Sequence, residues 1–315
     1  MKPLPLAKSQ LLVHPRIIPL LKATFAVLAW GGSFVATKVA LQYVQPVTVV
    51  WLRFAMGVTI LGIATLQRRQ FTLPSGKEFA YFAFLGLLGI TFHQWLQSTG
   101  LVTSQATTSA WIVATTPIFM ALLGWLVLKE RLDWVKWAGI ALATIGVLLV
   151  VSKGDFGALS AGHFGMPGDI LILVSAPNWA IFSVLSRHGL QTHPAARMML
   201  YVMGLGWLFT SVLFFAGPGV EDIGHLEWDG WVGIGFLGIA CSGLAYVFWY
   251  DALQVIPASQ VGAFLYLEPL VTLVVAAILL GEAILLASLL GGAIILFGVW
   301  MVNRPRKETG SEVRS

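Results

Sequence analysis

Charged side chains are scarce in this sequence: 19 Lys and Arg and 14 Asp and Glu among 315 residues, 10% in all. A soluble domain carries about 25%, so the chain lacks the polar surface needed to dissolve a globule of its size. Cysteine is scarcer still. Cys241 stands alone, which excludes an internal disulfide framework and any cysteine-based metal cluster. No Walker-type phosphate loop, G-x-S-x-G elbow or H-E-x-x-H helix occurs. Those absences argue against ATP-driven pumping within the chain and against enzyme chemistry, and no cofactor or metal is expected. The net charge of +5 would suggest nucleic acid in a soluble protein. Here topology accounts for it, and no nucleic-acid partner is expected.

What the chain has in abundance is apolar sequence: 57% hydrophobic residues and a mean hydropathy of +0.84. It is gathered into ten segments at about 20–42, 46–66, 79–100, 103–128, 134–152, 167–188, 195–217, 229–252, 256–280 and 284–302. Each approaches or exceeds the roughly 20 residues a helix needs to cross the ~30 Å hydrocarbon core. The runs are continuous rather than alternating, so they read as helices, not barrel strands. The expected class is an all-α polytopic membrane protein with the bilayer as its surroundings. The first segment lacks a small-residue cleavage pattern and reads as an uncleaved first helix. The short connections leave no room for an extramembrane catalytic domain.

Lysine and arginine set the expected orientation. With the N-terminus cytoplasmic, sixteen of the 19 basic residues fall on the cytoplasmic side. They include Lys22, Arg68, Arg69, Lys77, Lys129, Lys136, Arg187 and Arg197. Lys153 falls in an outer loop, and the outer connection 216–230 carries Glu221, Asp222, Glu227 and Asp229 without a basic residue. Lys38 and Arg53 lie within segments. Both termini are therefore expected inside, in an inner or plasma membrane.

One apolar segment is written twice. "TTPIFMALLGWLVLKE" (Thr115 to Glu130) and "LEPLVTLVVAAILLGE" (Leu267 to Glu282) each place a proline 13 residues before a glutamate, and the copies lie 152 apart. The offset extends to Phe84-Leu85-Gly86 with Phe236-Leu237-Gly238, and to Gly139 and Gly146 with Gly291 and Gly298. Trp30 and Trp179 give a weaker match of segments 1 and 6. Five helices per unit is an odd number, so the second unit enters the membrane upside down. Inverted repeats place a substrate site near the midplane between the halves, with alternating access by rocking about it. The expected division is a 1–19 tail, a first repeat over 20–152, an outer linker at 153–166, a second repeat over 167–302 and a 303–315 tail.

Trp30-Gly31-Gly32-Ser33, Arg53-Phe54 and the two Pro-to-Glu segments with their Gly-rich followers carry a resemblance over nearly the whole chain. The sequence resembles the EamA-type permeases of the drug/metabolite transporter superfamily. The resemblance implies ten helices in two five-helix repeats and export of small metabolites, amino acids or toxic compounds. It also implies a central cavity lined mainly by segments 1, 3, 4, 6, 8 and 9.

Individual residues sharpen that expectation. Glu268 lies in mid-segment, where a carboxylate is costly unless protonated, paired or facing a wet cavity. It reads either as a substrate-amine or proton-coupling group, or as a buried packing carboxyl. Arg53 and Lys38 lie toward outer helix ends, as snorkelling side chains or contacts for an anionic substrate group. In segment 3, His93 with Gln97 and Gln94 with Ser98 make a polar stripe; the offset sets Gln94 and Gln97 opposite Tyr246 and Trp249, with Tyr250 beside them. Ser104, Thr108, Trp111 and Thr115 share a face of segment 4, as do Gln260, Phe264 and Glu268 in segment 9. Trp30, Ser33, Asn178 and Trp179 complete the candidate lining, although each aromatic is equally suited to core packing. Glu130 and Glu282 are expected to brace their own hairpins, and the glycines of segments 5 and 10 to let those helices pack closely. The expected activity is secondary transport of a small amphipathic metabolite, with proton coupling one reading of Glu268. A lipid-translocating or scaffold protein is the alternative. An intramembrane enzyme fits less well, because the buried ionisable residues are few and scattered.

Overall fold

In lipid every backbone N–H and C=O must find a partner within its own segment or bundle, and the apolar segments meet that demand as helices. In the computed structural model the described residues are 17–129, 132–155, 157, 165–255, 261–262 and 264–304. Among them nine helices are long and apolar enough to cross a membrane: α1 (Ile17–Ala40), α2 (Pro46–Gln67), α3 (Gly76–Thr103), α4 (Ala106–Leu126), α5 (Trp134–Val151), α6 (Pro167–Thr192), α7 (Ala195–Ala216), α8 (Trp228–Val255) and α10 (Leu286–Asn303). The shorter apolar helix α9 (Phe264–Leu279) lies before the last of these. The expected segment at 256–280 is represented by α9 with Val261 and Gly262. No strand occurs among the described residues. Outward-facing side chains are themselves apolar, Leu66, Val212 and Ile278 being 61%, 67% and 74% exposed, a surface suited to acyl chains.

Four helices depart from regular α geometry, and the departures recur at the sequence offset. Helix α4 breaks at Ala114 and Thr115, resuming at Thr116 ahead of Pro117. Proline has no N–H to give, and its ring collides with the carbonyl four residues back. Helix α9 opens as a 3₁₀ turn, Phe264–Leu267, and becomes α-helical at Glu268 ahead of Pro269. The two resumption points are 152 residues apart. Within α3 and α8 lie π-helical segments, Leu87–Phe92 and Phe236–Leu244, whose ends are again 152 apart. So are the left-handed residues that follow α4 and α9, Lys129 (φ 55°) and Gly281 (φ 66°). The 152-residue offset thus recurs in backbone conformation as well as in residue identity.

Small residues bring the helices together. A Cβ on Gly139 would lie 2.6 Å from the carbonyl oxygen of Gly298, and one on Gly146 2.7 Å from that of Gly291. Helices α5 and α10 therefore touch backbone to backbone, as their glycines imply. At the end bearing the N-terminus, Asp251 of α8 pairs with Lys22 of α1 at 2.6 Å and Arg68 after α2 at 2.7 Å. There too Glu78 of α3 pairs with Arg197 of α7 at 3.2 Å. At the opposite end Asp222 accepts from the Gln45 amide and the Thr48 hydroxyl, at 2.9 and 2.8 Å, seating the α7–α8 connection on the start of α2.

One expectation is corrected. The Glu282 carboxylate does not brace its own hairpin but accepts from the amides of Ala106 and Thr107, at 2.7 and 3.0 Å, at the start of α4. The first turn of α4 leaves amides without intrahelical partners, and a carboxylate suits the positive end of the helix dipole. Glu130, its sequence counterpart, lies outside the described residues.

Candidate functional site

Arg53 sits in mid-α2 and is 6% exposed, so it is not snorkelling to an interface. Its Nε donates to the Ser242 hydroxyl at 3.0 Å and its Nη1 to Gln94 Oε1 at 3.1 Å, with the guanidinium 5.1 Å from the Phe54 ring centre. Two of its five N–H donors are engaged, and no carboxylate pairs with it among the described residues. A buried cation without a counter-ion is expensive. An anionic group on a visiting solute would offset that cost.

The π segments shape the surroundings. An i→i+5 turn displaces carbonyls from the regular ladder, and both segments offer one to a side chain from the opposite half of the sequence. Trp30 Nε1 of α1 donates to the Cys241 carbonyl in α8 at 3.1 Å. Asn178 Nδ2 of α6 donates to the Leu88 carbonyl in α3 at 3.0 Å. Around the first contact Trp30 meets Tyr246 edge-on at 5.7 Å and Trp249 at 5.1 Å, with Tyr250 6.4 Å beyond Tyr246. Around the second, His93 lies 4.7 Å from Trp179, which lies 4.8 Å from Phe182. His93 Nδ1 is buried without a hydrogen-bond partner. The two clusters adjoin the partners of Arg53 in sequence, His93 preceding Gln94 and Cys241 preceding Ser242.

Glu268 opens the α-helical part of α9, half-buried, and its carboxylate has no hydrogen bond or ion pair among the described residues. The α1 motif is the crossing that places it. A Cβ on Gly31 would lie 2.8 Å from the Glu268 carbonyl oxygen, and Thr272 Oγ1 lies 2.7 Å from the Gly31 carbonyl oxygen and 3.0 Å from that of Glu268. A Cβ on Gly32 would lie 3.1 Å from the Phe236 ring. Ser33 follows, half-buried on α1.

Other candidates stand apart. Trp111 is 1% exposed in the core between α4 and α10, where Gly292 leaves room for its ring. Thr115 turns its hydroxyl onto the Ile112 carbonyl at the α4 break, at 2.6 Å, and Thr108 is buried. The break interrupts the single face expected for segment 4. Gln97 is half-buried on α3, and Phe264 packs with Ala23, Ala252 and Val261. Gln260 lies outside the described residues. Lys38, half-buried near the end of α1, donates from Nζ to the carbonyls of Leu101 and Ser104, at 3.3 and 2.5 Å, ending α3.

Sequence reasoning missed Ser242, Asp169 and Asp251. Asp169 is 2% exposed, accepting from the Ser104 hydroxyl and from the Met166 amide. Its place three residues after Met166 at the head of α6 is a first-turn signal that was there to be used. Asp251 near the end of an apolar run, with Lys22 and Arg68 at matching depth, carried a similar signal.

The EamA-like transporter family model matches residues 17–152 and 166–304. An "Uncharacterized transporter" of Archaeoglobus fulgidus is 30% identical over 276 residues, 88% of this chain and 94% of that protein. A "Probable terminal-alkyne amino-acid exporter" of Streptantibioticus cattleyicolor is 27% identical over 88% of this chain and 91% of its own length. A "Probable amino-acid metabolite efflux pump" of Salmonella typhimurium is 28% identical over 89% and 92%. These relatives are named as transporters, not enzymes. A chain of known crystal structure matches with a TM-score of 0.64 at 20% identity, covering 91% of this chain and 98% of its own, a likeness of fold.

Proposed function

The chain belongs to the EamA-like transporter family, and we propose that it is a secondary transporter exporting small amino-acid-like or amphipathic metabolites. In this reading its ten helices form two inverted repeats, 20–152 and 167–302, joined by an outer linker. Both termini are cytoplasmic and the two halves rock about a midplane site. The observation that carries it is two ionisable groups within apolar helices that lack an opposite charge among the described residues: Arg53, buried without a carboxylate, and Glu268, without a cation. Arg53, with Gln94 and Ser242, receives the carboxylate of the solute. Glu268 receives its amine or exchanges a proton in its place. Trp30, Trp179, Tyr246 and Trp249 offer flat apolar surface and cation–π contact.

The matching backbone features support the repeat. The relatives named as amino-acid exporters support the solute class.

The test is flux of a labelled amino-acid panel in proteoliposomes, per folded molecule and across pH, for wild type and Glu268→Gln. Gln keeps shape and hydrogen bonding, so transport should be lost or uncoupled from pH without loss of folding. Unchanged flux with an unchanged pH profile removes Glu268 from the mechanism. Lipid movement without solute flux overturns the whole reading.

A further inference from the structure

The duplicated segment ends in a contact that its own hairpin does not need. Gly281 reverses the chain at φ 66°, and the next residue, Glu282, places both carboxylate oxygens on the first amides of α4. The α4 part so held, Ala106–Val113, is an eight-residue helix separated from the rest by the break before Pro117. It can therefore tilt as a unit. Its neighbour in the same hairpin is held from the other side. Lys38 of α1 donates to the terminal carbonyls of α3 at Leu101 and Ser104, the negative end of that helix dipole. Ser104 in turn donates to Asp169 of α6. The tip of the α3–α4 hairpin is thus gripped by a cation from α1 on its negative helix end and by an anion following α9 on its positive end.

We propose that Glu282 is the latch that closes the pathway at the end opposite the N-terminus. Opening that end requires its two hydrogen bonds to the start of α4 to break. The proposal rests on the alternating-access reading above. Buried amides without acceptors are costly, so the latch releases only as water enters between α4 and α9. The contact stabilises one of two states and is absent from the other, which is what allows it to set their populations.

The experiment reads closure without any transported solute. Thr108, 3% exposed below the latch on α4, becomes the reporter as Thr108→Cys on a Cys241→Ala background. A membrane-impermeant maleimide is applied separately from each side, in spheroplasts and in inverted vesicles. Phe264→Cys, near the N-terminal end of α9, reports the other end. Glu282→Ala should raise Thr108→Cys labelling from the far side on the order of tenfold, the shift expected when hydrogen bonds to a charged acceptor vanish from one state only. Labelling of Phe264→Cys from the N-terminal side should fall at the same time. Glu282→Gln keeps one acceptor oxygen and should give a smaller rise, about threefold; it decides the matter if Glu282→Ala does not fold. Unchanged labelling in the folded variant overturns the latch. So does a rise at Thr108→Cys without a fall at Phe264→Cys, the mark of a helix end that frays locally. If no solute is ever found to move, the labelling still stands or falls by itself.

Discussion

Two glycines offer nearly the same steric insult at different places, and their comparison isolates the site. A Cβ on Gly31 of α1 would lie 2.7 Å from Val271 Cβ and 2.8 Å from the Glu268 carbonyl oxygen; one on Gly146 of α5 would lie 2.7 Å from the Gly291 carbonyl oxygen and 2.8 Å from Ile295 Cγ1. Ordinary van der Waals contact begins at 3.4 Å, so either alanine must push its partner helix away by more than half an ångström. Overpacking of that kind costs about 1–3 kcal/mol, against about 1 kcal/mol returned by alanine's better helix propensity. Both variants should therefore lose up to about 2 kcal/mol, a fall visible in thermal unfolding of the purified protein. Their transport should differ. At the α1–α9 crossing the Thr272 hydroxyl lies between the Gly31 and Glu268 carbonyls, so Gly31→Ala shifts the Glu268 backbone and, under the proposed function, moves its carboxylate off the solute. Misplacement by a fraction of an ångström should lower flux per folded molecule about tenfold, since an ångström can cost a hundredfold. The α5–α10 crossing holds none of the proposed solute contacts, and Gly146→Ala should keep flux within about twofold of wild type, the scale of a change well under 1 kcal/mol. Equal loss of flux in the two variants, or normal flux in Gly31→Ala, would refute the placement of the site at α1 and α9.

Three further outcomes follow from the same geometry. Arg53→Gln should weaken transport of a carboxylate-bearing solute by about tenfold or more, the value of a hydrogen bond to a charged group, and leave its carboxamide analogue little changed; equal weakening of both would return Arg53 to a packing role. Asp251→Asn removes two partly exposed ion pairs and should cost about 1 kcal/mol of stability, with the loss shrinking at high salt in denaturation measurements. Trp111→Ala should destabilise by about 3 kcal/mol or more through the cavity it opens, whereas Trp111→Phe should fold and retain flux. Loss of flux in well-folded Trp111→Phe would make Trp111 a solute contact.

The helices were legible in the sequence because lipid leaves the backbone few alternatives, and because a 152-residue echo survives in glycines and prolines whose backbone geometry is hard to replace. Pro117 and Pro269 lie at the breaks in α4 and α9, which the continuous segments 103–128 and 256–280 did not include, whereas Gly139 with Gly298 announces a close crossing. The π segments were not legible, since nothing in Leu87–Phe92 or Phe236–Leu244 distinguishes an i→i+5 turn from an i→i+4 one. Their consequence, carbonyls freed for Trp30 and Asn178, was therefore hidden as well. Arg53 was legible as a charge within a segment, but its depth was misjudged: position along a helix does not say how far a neighbour such as α8 covers it. For Lys38 the carbonyls of α3 that it meets were not legible from its own helix.

Glu282 shows where such reasoning ends and what replaces it. A glutamate after a helix is unfavourable to that helix's own dipole, so its presence calls for a helix N-terminus nearby. The adjacent candidate is α10, and sequence order favours it. Gly281 decides otherwise, because its positive φ turns the chain so that the carboxylate faces the start of α4, 176 positions earlier. A residue that serves its own hairpin would stabilise one repeat in isolation. One that reaches the other half of the sequence stabilises a relation between the two halves, and if those halves rock as proposed above, that relation selects the state.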